Sequence, residues 1–125
     1  PVPTATLASG LAGLEVNERE GDTLRDEVYR LSGRLVNGAR ALGFEVDNSH
    51  SFPIVFVVTG DMGKTLAAVR SAESAGILFT PGVFPAVPLS RGGLRFTVTA
   101  LNTDEEIDTA LEALRKIKQE QGVKP

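Results

Sequence analysis

Leu94-Arg95-Phe96-Thr97-Val98-Thr99 alternates apolar and polar residues without a break. Successive side chains of an extended chain point to opposite sides. A period of two therefore predicts a strand whose Leu94, Phe96 and Val98 face a core while Arg95, Thr97 and Thr99 face away from it. Just downstream, Thr103-Asp104-Glu105-Glu106 has the S/T-x-x-E spacing of a capping box, and its three carboxylates suit the positive end of a helix dipole. The helix that starts there has an apolar face of Ile107, Ala110, Leu111, Leu114 and Ile117. Arg115, Lys116 and Lys118 collect toward its C-terminal end, and Gly122 stops it.

Working back toward the N-terminus, Pro53 opens the β-branched run Ile54 to Val58, which reads as a buried strand. Thr59 to Lys64 reads as a turn, Thr65 to Ala75 as an alanine-rich helix closed by Gly76, and Ile77 to Thr80 as a second strand. Pro81 to Gly93, dense in proline and glycine, reads as a loop over the surface. Leu24, Val28, Leu31, Leu35, Ala39 and Leu42 recur at helical spacing, which predicts a helix that begins after Gly21-Asp22 and ends on a left-handed Gly43. Leu7, Leu11 and Leu14 predict a further helix over Thr4 to Val16, weakened by Gly10 and Gly13. This order predicts an α+β domain: a small antiparallel or mixed sheet of three to four strands with helices packed on one face.

The 125 residues are enough for one core. A formal charge of −3, with no cluster of Lys or Arg among aromatics, argues against nucleic acid as a partner. Without cysteine there are no thiolate nucleophiles or cysteine-based zinc sites, and His50 as the sole histidine excludes a site needing two imidazoles, so no metal is expected. The longest charge-free stretch, Ser74 to Ser90, is interrupted by Pro81, Pro85 and Pro88, so no membrane helix is expected. The N-terminus lacks a secretory pattern, which makes the cytoplasm the expected location. Pro1 in place of an initiator Met suggests an excised piece.

Several residue groups invite a chemical reading. Gly60-Asp61-Met62-Gly63-Lys64-Thr65 ends like a phosphate-binding loop, but Val58 stands where such a loop needs its first glycine, so an ordinary strand-to-helix turn is expected. Glu105 and Glu106 are accounted for by capping, and His50 by an exposed place in the polar loop Asn48-Ser49-His50-Ser51. G-x-S-x-G is absent. Arg95 is the candidate that remains. On a rigid strand, its guanidinium offers two planar donors matched to a carboxylate.

Four blocks taken in order resemble the C-terminal domain of the α-oxoamine synthases. They are Gly76-Ile77-Leu78-Phe79, Phe84-Pro85-Ala86-Val87-Pro88, Leu94-Arg95-Phe96-Thr97-Val98-Thr99-Ala100 and Thr103-Asp104-Glu105-Glu106-Ile107-Asp108. Ala39 to Phe44 followed by Ser51 to Val55 is similar to the same family's helix-to-strand passage. These are pyridoxal-phosphate enzymes of the aspartate-aminotransferase fold, among them 8-amino-7-oxononanoate synthase, 2-amino-3-ketobutyrate ligase and serine palmitoyltransferase.

The resemblance implies a domain-connecting helical segment over 1–20 and the small C-terminal domain of a larger enzyme over 21–125. It implies that Arg95 grips the substrate amino acid's carboxylate and that Pro85, Ala86, Val87 and Pro88 border the substrate entrance. The parent would be a cytoplasmic homodimer that uses pyridoxal 5'-phosphate to acylate an amino acid from a thioester carried on coenzyme A or a carrier protein. Lys64, Lys116, Lys118 and Lys124 lack the family's Schiff-base lysine context, so the isolated chain should hold no cofactor, carry no catalytic residue and be inactive. The pattern departs at Leu101-Asn102-Thr103, where many relatives have Ala-His-Thr. A free-standing α+β ligand-binding or regulatory module, and the small domain of an aminotransferase, remain alternatives.

Overall fold

The computed structural model describes residues 1–121, so Gly122 and Lys124 lie outside the described residues. The elements follow in the order α1 (Thr4–Ala41), β1 (Glu45–Asp47), β2 (Ile54–Gly60), α2 (Met62–Ser74), β3 (Thr80–Gly82), β4 (Gly92–Thr97) and α3 (Asp104–Glu120). The strands form one antiparallel sheet in the order β1-β2-β4-β3. The fold is α+β, as the amphipathic pattern predicts. None of the described helices is long and apolar enough to cross a membrane.

One face of the sheet carries the core. Val55 and Val57 of β2, with Leu94 and Phe96 of β4 and the adjoining Val98, pack against Leu31, Leu35 and Ala39 of α1, Ala68 and Ala72 of α2, and Leu114 and Ile117 of α3. Leu31, Leu35, Leu94 and Leu114 are fully buried, each burial contributing about 1.5–3 kcal/mol. The alternation along β4 is the expected one, with Arg95 and Thr97 exposed. Beyond Thr97 the ladder gains one further bond, from the Val98 N–H to the Pro53 carbonyl at 2.7 Å.

The helix termini follow their local chemistry. Thr103 and Glu106 form the capping box reciprocally, at 3.2 and 3.0 Å. Gly43 follows α1 at φ 82°, the left-handed region that glycine favours.

The structure corrects the sequence reading in four places. First, the helices expected before Val16 and after Gly21 are one 38-residue helix. Gly21 and Asp22 lie inside it, and the Asp22 carboxylate accepts from Arg25 at 2.7 Å on the outer surface. A single glycine costs about 1 kcal/mol without breaking a helix that continues on both sides. Second, β1 is an additional strand. Its three residues, with only Val46 buried, are too few to show a period.

Third, α2 starts at Met62, three residues before the expected Thr65, because Asp61 caps it. Fourth, Ile77 to Phe79 is not a strand; pairing begins at Thr80 and takes in Pro81 and Gly82. Proline fits there because β3 is an edge strand, where a missing N–H leaves no ladder bond unmade. The expected loop thus gives up Pro81 and Gly82 to β3, and Gly92 and Gly93 to β4.

Candidate functional site

The sheet face opposite the helices carries two rows of cross-strand neighbours that run through all four strands, with the pair Ile54 and Thr97 beyond them. Asp47, Phe56, Arg95 and Thr80 form one row, in strand order β1, β2, β4, β3. Glu45, Val58, Gly93 and Gly82 form the next. Arg95 therefore sits on an inner strand near the middle of this open face. Among the described residues it has no carboxylate within salt-bridge distance.

Phe56 does not lie flat along its own row. Its ring is turned onto Gly82 and Gly93, where an added Cβ would stand 2.5 Å from Cε2 and 2.8 Å from Cζ, respectively. Only glycine leaves room for an aromatic ring that close to the strand backbone.

Arg91 immediately precedes β4, and its side chain crosses to the edge strand β1. Its Nη1 donates to Glu45 Oε1 at 2.6 Å, and its Nη2 donates to Asp47 Oδ2 at 3.1 Å and Oδ1 at 3.3 Å. These bonds raise the pKa of Arg91, the Glu45 bond foremost. This cluster escapes the sequence reading because its members lie 46 and 44 positions apart and only the sheet register unites them.

Pro85, Ala86 and Pro88 are exposed and Val87 is half-buried, in the connection between β3 and β4. That connection starts with a turn closed by the Ala86 N–H on the Val83 carbonyl at 2.9 Å, contains a cis Phe84–Pro85 bond, and ends with the Arg91 N–H on the Pro88 carbonyl at 2.9 Å. The segment joins the sheet at the Gly82–Gly93 pair. Arg95 lies two residues farther along β4, about 7 Å by strand rise. The structure thus places the segment and Arg95 on the same hairpin, offset along it.

The other groups singled out have local roles. The Asp61 carboxylate accepts from the Lys64 N–H at 2.9 Å, so the chain's own side chain occupies the place an anion would take at this helix start. His50 is exposed, with Nδ1 sharing a hydrogen bond of 2.7 Å with the Ser49 hydroxyl. The Glu106 carboxylate accepts from Asn102 and from the Thr103 N–H, and these bonds, in that order, hold its pKa below the usual range.

These residues do not fit pyridoxal phosphate by themselves. Lys64 lies on α2 and Lys116 and Lys118 on α3, helices on the covered side of the sheet and opposite to Arg95. Lys118 is engaged with the Gly43 carbonyl at 2.8 Å and stands 4.8 Å from the centre of the Phe44 ring.

The chain matches no protein-family model. It is 39% identical over 123 residues to an 8-amino-7-oxononanoate synthase of Alkaliphilus oremlandii, a match spanning 98% of this chain and 30% of that protein. It is 35% identical over 122 residues to a serine palmitoyltransferase of Caulobacter vibrioides, again spanning 98% of this chain and 30% of that protein. Its fold superimposes with a TM-score of 0.72 on the serine palmitoyltransferase of S. paucimobilis solved with bound PLP and myriocin, at 23% identity, covering 80% of this chain and 25% of that one. Related along almost its whole length to these enzymes, the chain belongs to the α-oxoamine synthase family, whose members it matches over about 30% of their length.

Proposed function

We propose that this chain is the small C-terminal domain of a pyridoxal-phosphate-dependent acyltransferase that condenses an amino acid with an acyl thioester, and that Arg95 holds the amino acid's carboxylate. The observation that carries the reading is the exposed position of Arg95 on an inner strand, on the sheet face that none of the described helices covers. A planar fork on a rigid strand can grip a carboxylate in a fixed orientation and so align the bonds at Cα. Arg95 moves no proton in this scheme; it binds and orients.

On this reading residues 1–20 connect to a larger lobe that supplies the cofactor site, and the Pro85–Pro88 segment borders the path by which substrates enter. The parent acts as a cytoplasmic homodimer, with the acyl group delivered on coenzyme A or a carrier protein. The 125 residues alone are inactive, since their described lysines lie across the sheet from Arg95.

The test is Arg95→Ala in the full-length enzyme, assayed with an acyl-CoA and with glycine, L-alanine and L-serine in turn. Loss of a charge-assisted pair should lower kcat/KM for the amino acid by about 1.5–3 kcal/mol, roughly 10- to 150-fold. Unchanged steady-state parameters would remove Arg95 from the binding site. Turnover with a keto acid and none with any acyl thioester would replace acyl transfer by amino-group transfer.

A further inference from the structure

Resting on that role for Arg95, we propose that Arg91 is a positioning residue: by engaging Glu45 and Asp47 it keeps these two carboxylates from neutralising Arg95, which stays available to an incoming substrate carboxylate.

The argument starts from register. Asp47 opposes Phe56, and Phe56 opposes Arg95, with Asp47 and Arg95 both exposed on the open face. Two inter-strand steps separate the Cα atoms of Asp47 and Arg95, about 10 Å. An extended arginine and an aspartate can close that gap together. Phe56 does not obstruct them with its ring, which is turned away onto Gly82 and Gly93 in the adjoining row. A carboxylate tethered this near Arg95 competes at an effective concentration of about millimolar or more. A free amino acid would then have to displace it at every turnover.

Arg91 removes the competitor. Its fork takes Glu45 at 2.6 Å and Asp47 at 3.1 Å, so both outward carboxylates of β1 are engaged by one guanidinium. Arg91 cannot itself take the place of Arg95, because Gly93 lies between them on β4 and the ring of Phe56 stands over Gly93. The same residue also closes the connection that carries Pro85–Pro88, through its backbone N–H, which donates to the Pro88 carbonyl. Glu45, Asp47 and Arg91 thus form a closed group at the β1 side of the face, and Arg95 is the open guanidinium on β4.

The experiment uses the full-length enzyme with an acyl-CoA and whichever of glycine, L-alanine and L-serine it turns over. Arg91→Gln should raise KM for the amino acid about tenfold with kcat little changed, because released carboxylates compete with substrate in the ground state. The triple variant Glu45→Gln/Asp47→Asn/Arg91→Gln should return KM to within about twofold of the wild type. A purely structural role for Arg91 gives no such restoration. The double variant Glu45→Gln/Asp47→Asn, which keeps Arg91, should also stay within about twofold and checks that the sheet tolerates loss of the acids.

Arg95→Gln is measured alongside. A raised KM for Arg95→Gln together with an unchanged KM for Arg91→Gln, or a failure of the triple variant to restore it, overturns the role of Arg91 and leaves Arg95 standing. An unchanged KM for Arg95→Gln overturns both.

Discussion

The ring of Phe56 rests on the bare backbone of Gly93, at a distance no side chain at that position would permit. A Cβ at Gly93 would stand 2.8 Å from Phe56 Cζ and would also run into the Val57 carbonyl, which cannot swing aside as a side chain can. Gly93→Ala should therefore destabilise the domain by about 1–3 kcal/mol through overpacking, read as a fall of several degrees in Tm. Adding Phe56→Ala should not restore the loss, since the carbonyl clash persists. A Gly93→Ala protein that melts with the wild type would show that this strand pair can shift freely.

Acid should weaken the join between α1 and α3. Arg34 donates to Asp104 at 2.8 Å and to Asp108 at 2.7 Å, while Arg30 bridges Glu27 and Asp104 at 2.7 and 2.9 Å. The hydrogen bond from Arg30 is the chief cause holding both Asp104 and Glu27 below their ordinary pKa. A carboxylate whose folded pKa is depressed contributes stability above its unfolded value and loses it as pH falls through the folded one. Tm should be level at neutral pH and fall as acid is added below about pH 4.5, the ordinary value for a glutamate. Asp104→Asn should show a shallower acid limb in thermal melts and a smaller response to salt. A limb as steep as the wild type would assign the acid sensitivity elsewhere.

The two halves of α1 should differ in stability when this chain is studied alone. Leu31, Leu35, Val36 and Ala39 anchor the C-terminal half, while Leu7, Leu11 and Leu14 are 56%, 64% and 62% exposed and no residue from Thr4 to Glu20 is buried. A helical segment without tertiary contacts is marginal in water, and Gly10 and Gly13 weaken this one further. Amide hydrogen exchange should be fast over 4–20 and slow over 31–39. Equal protection along the helix would mean that something, such as a second copy, covers the leucine stripe.

Much of the architecture is legible in residues that carry their own instructions. The alternation from Leu94 to Val98 chooses which side chains meet the core, Thr103 and Glu106 start α3 by bonding each other, and Gly43 ends α1 because it alone tolerates the required backbone angle. The outward placement of Arg95 is legible too, as the charged residue on the polar face of an amphipathic strand. The Arg91 cluster is not, because neither Arg91 nor the pair Glu45 and Asp47 differs in sequence from ordinary surface charge.

The amphipathic faces and the helix caps are readable from the residues alone because each depends on positions a few apart, and the family resemblance is readable because it rests on the linear order of motifs. The continuity of α1, the strands Glu45–Asp47 and Thr80–Gly82, and the reach of Arg91 to β1 emerge from the folded chain. Strands of three residues take their hydrogen bonds from a neighbour rather than from themselves. Register alone brings together charges more than forty positions apart.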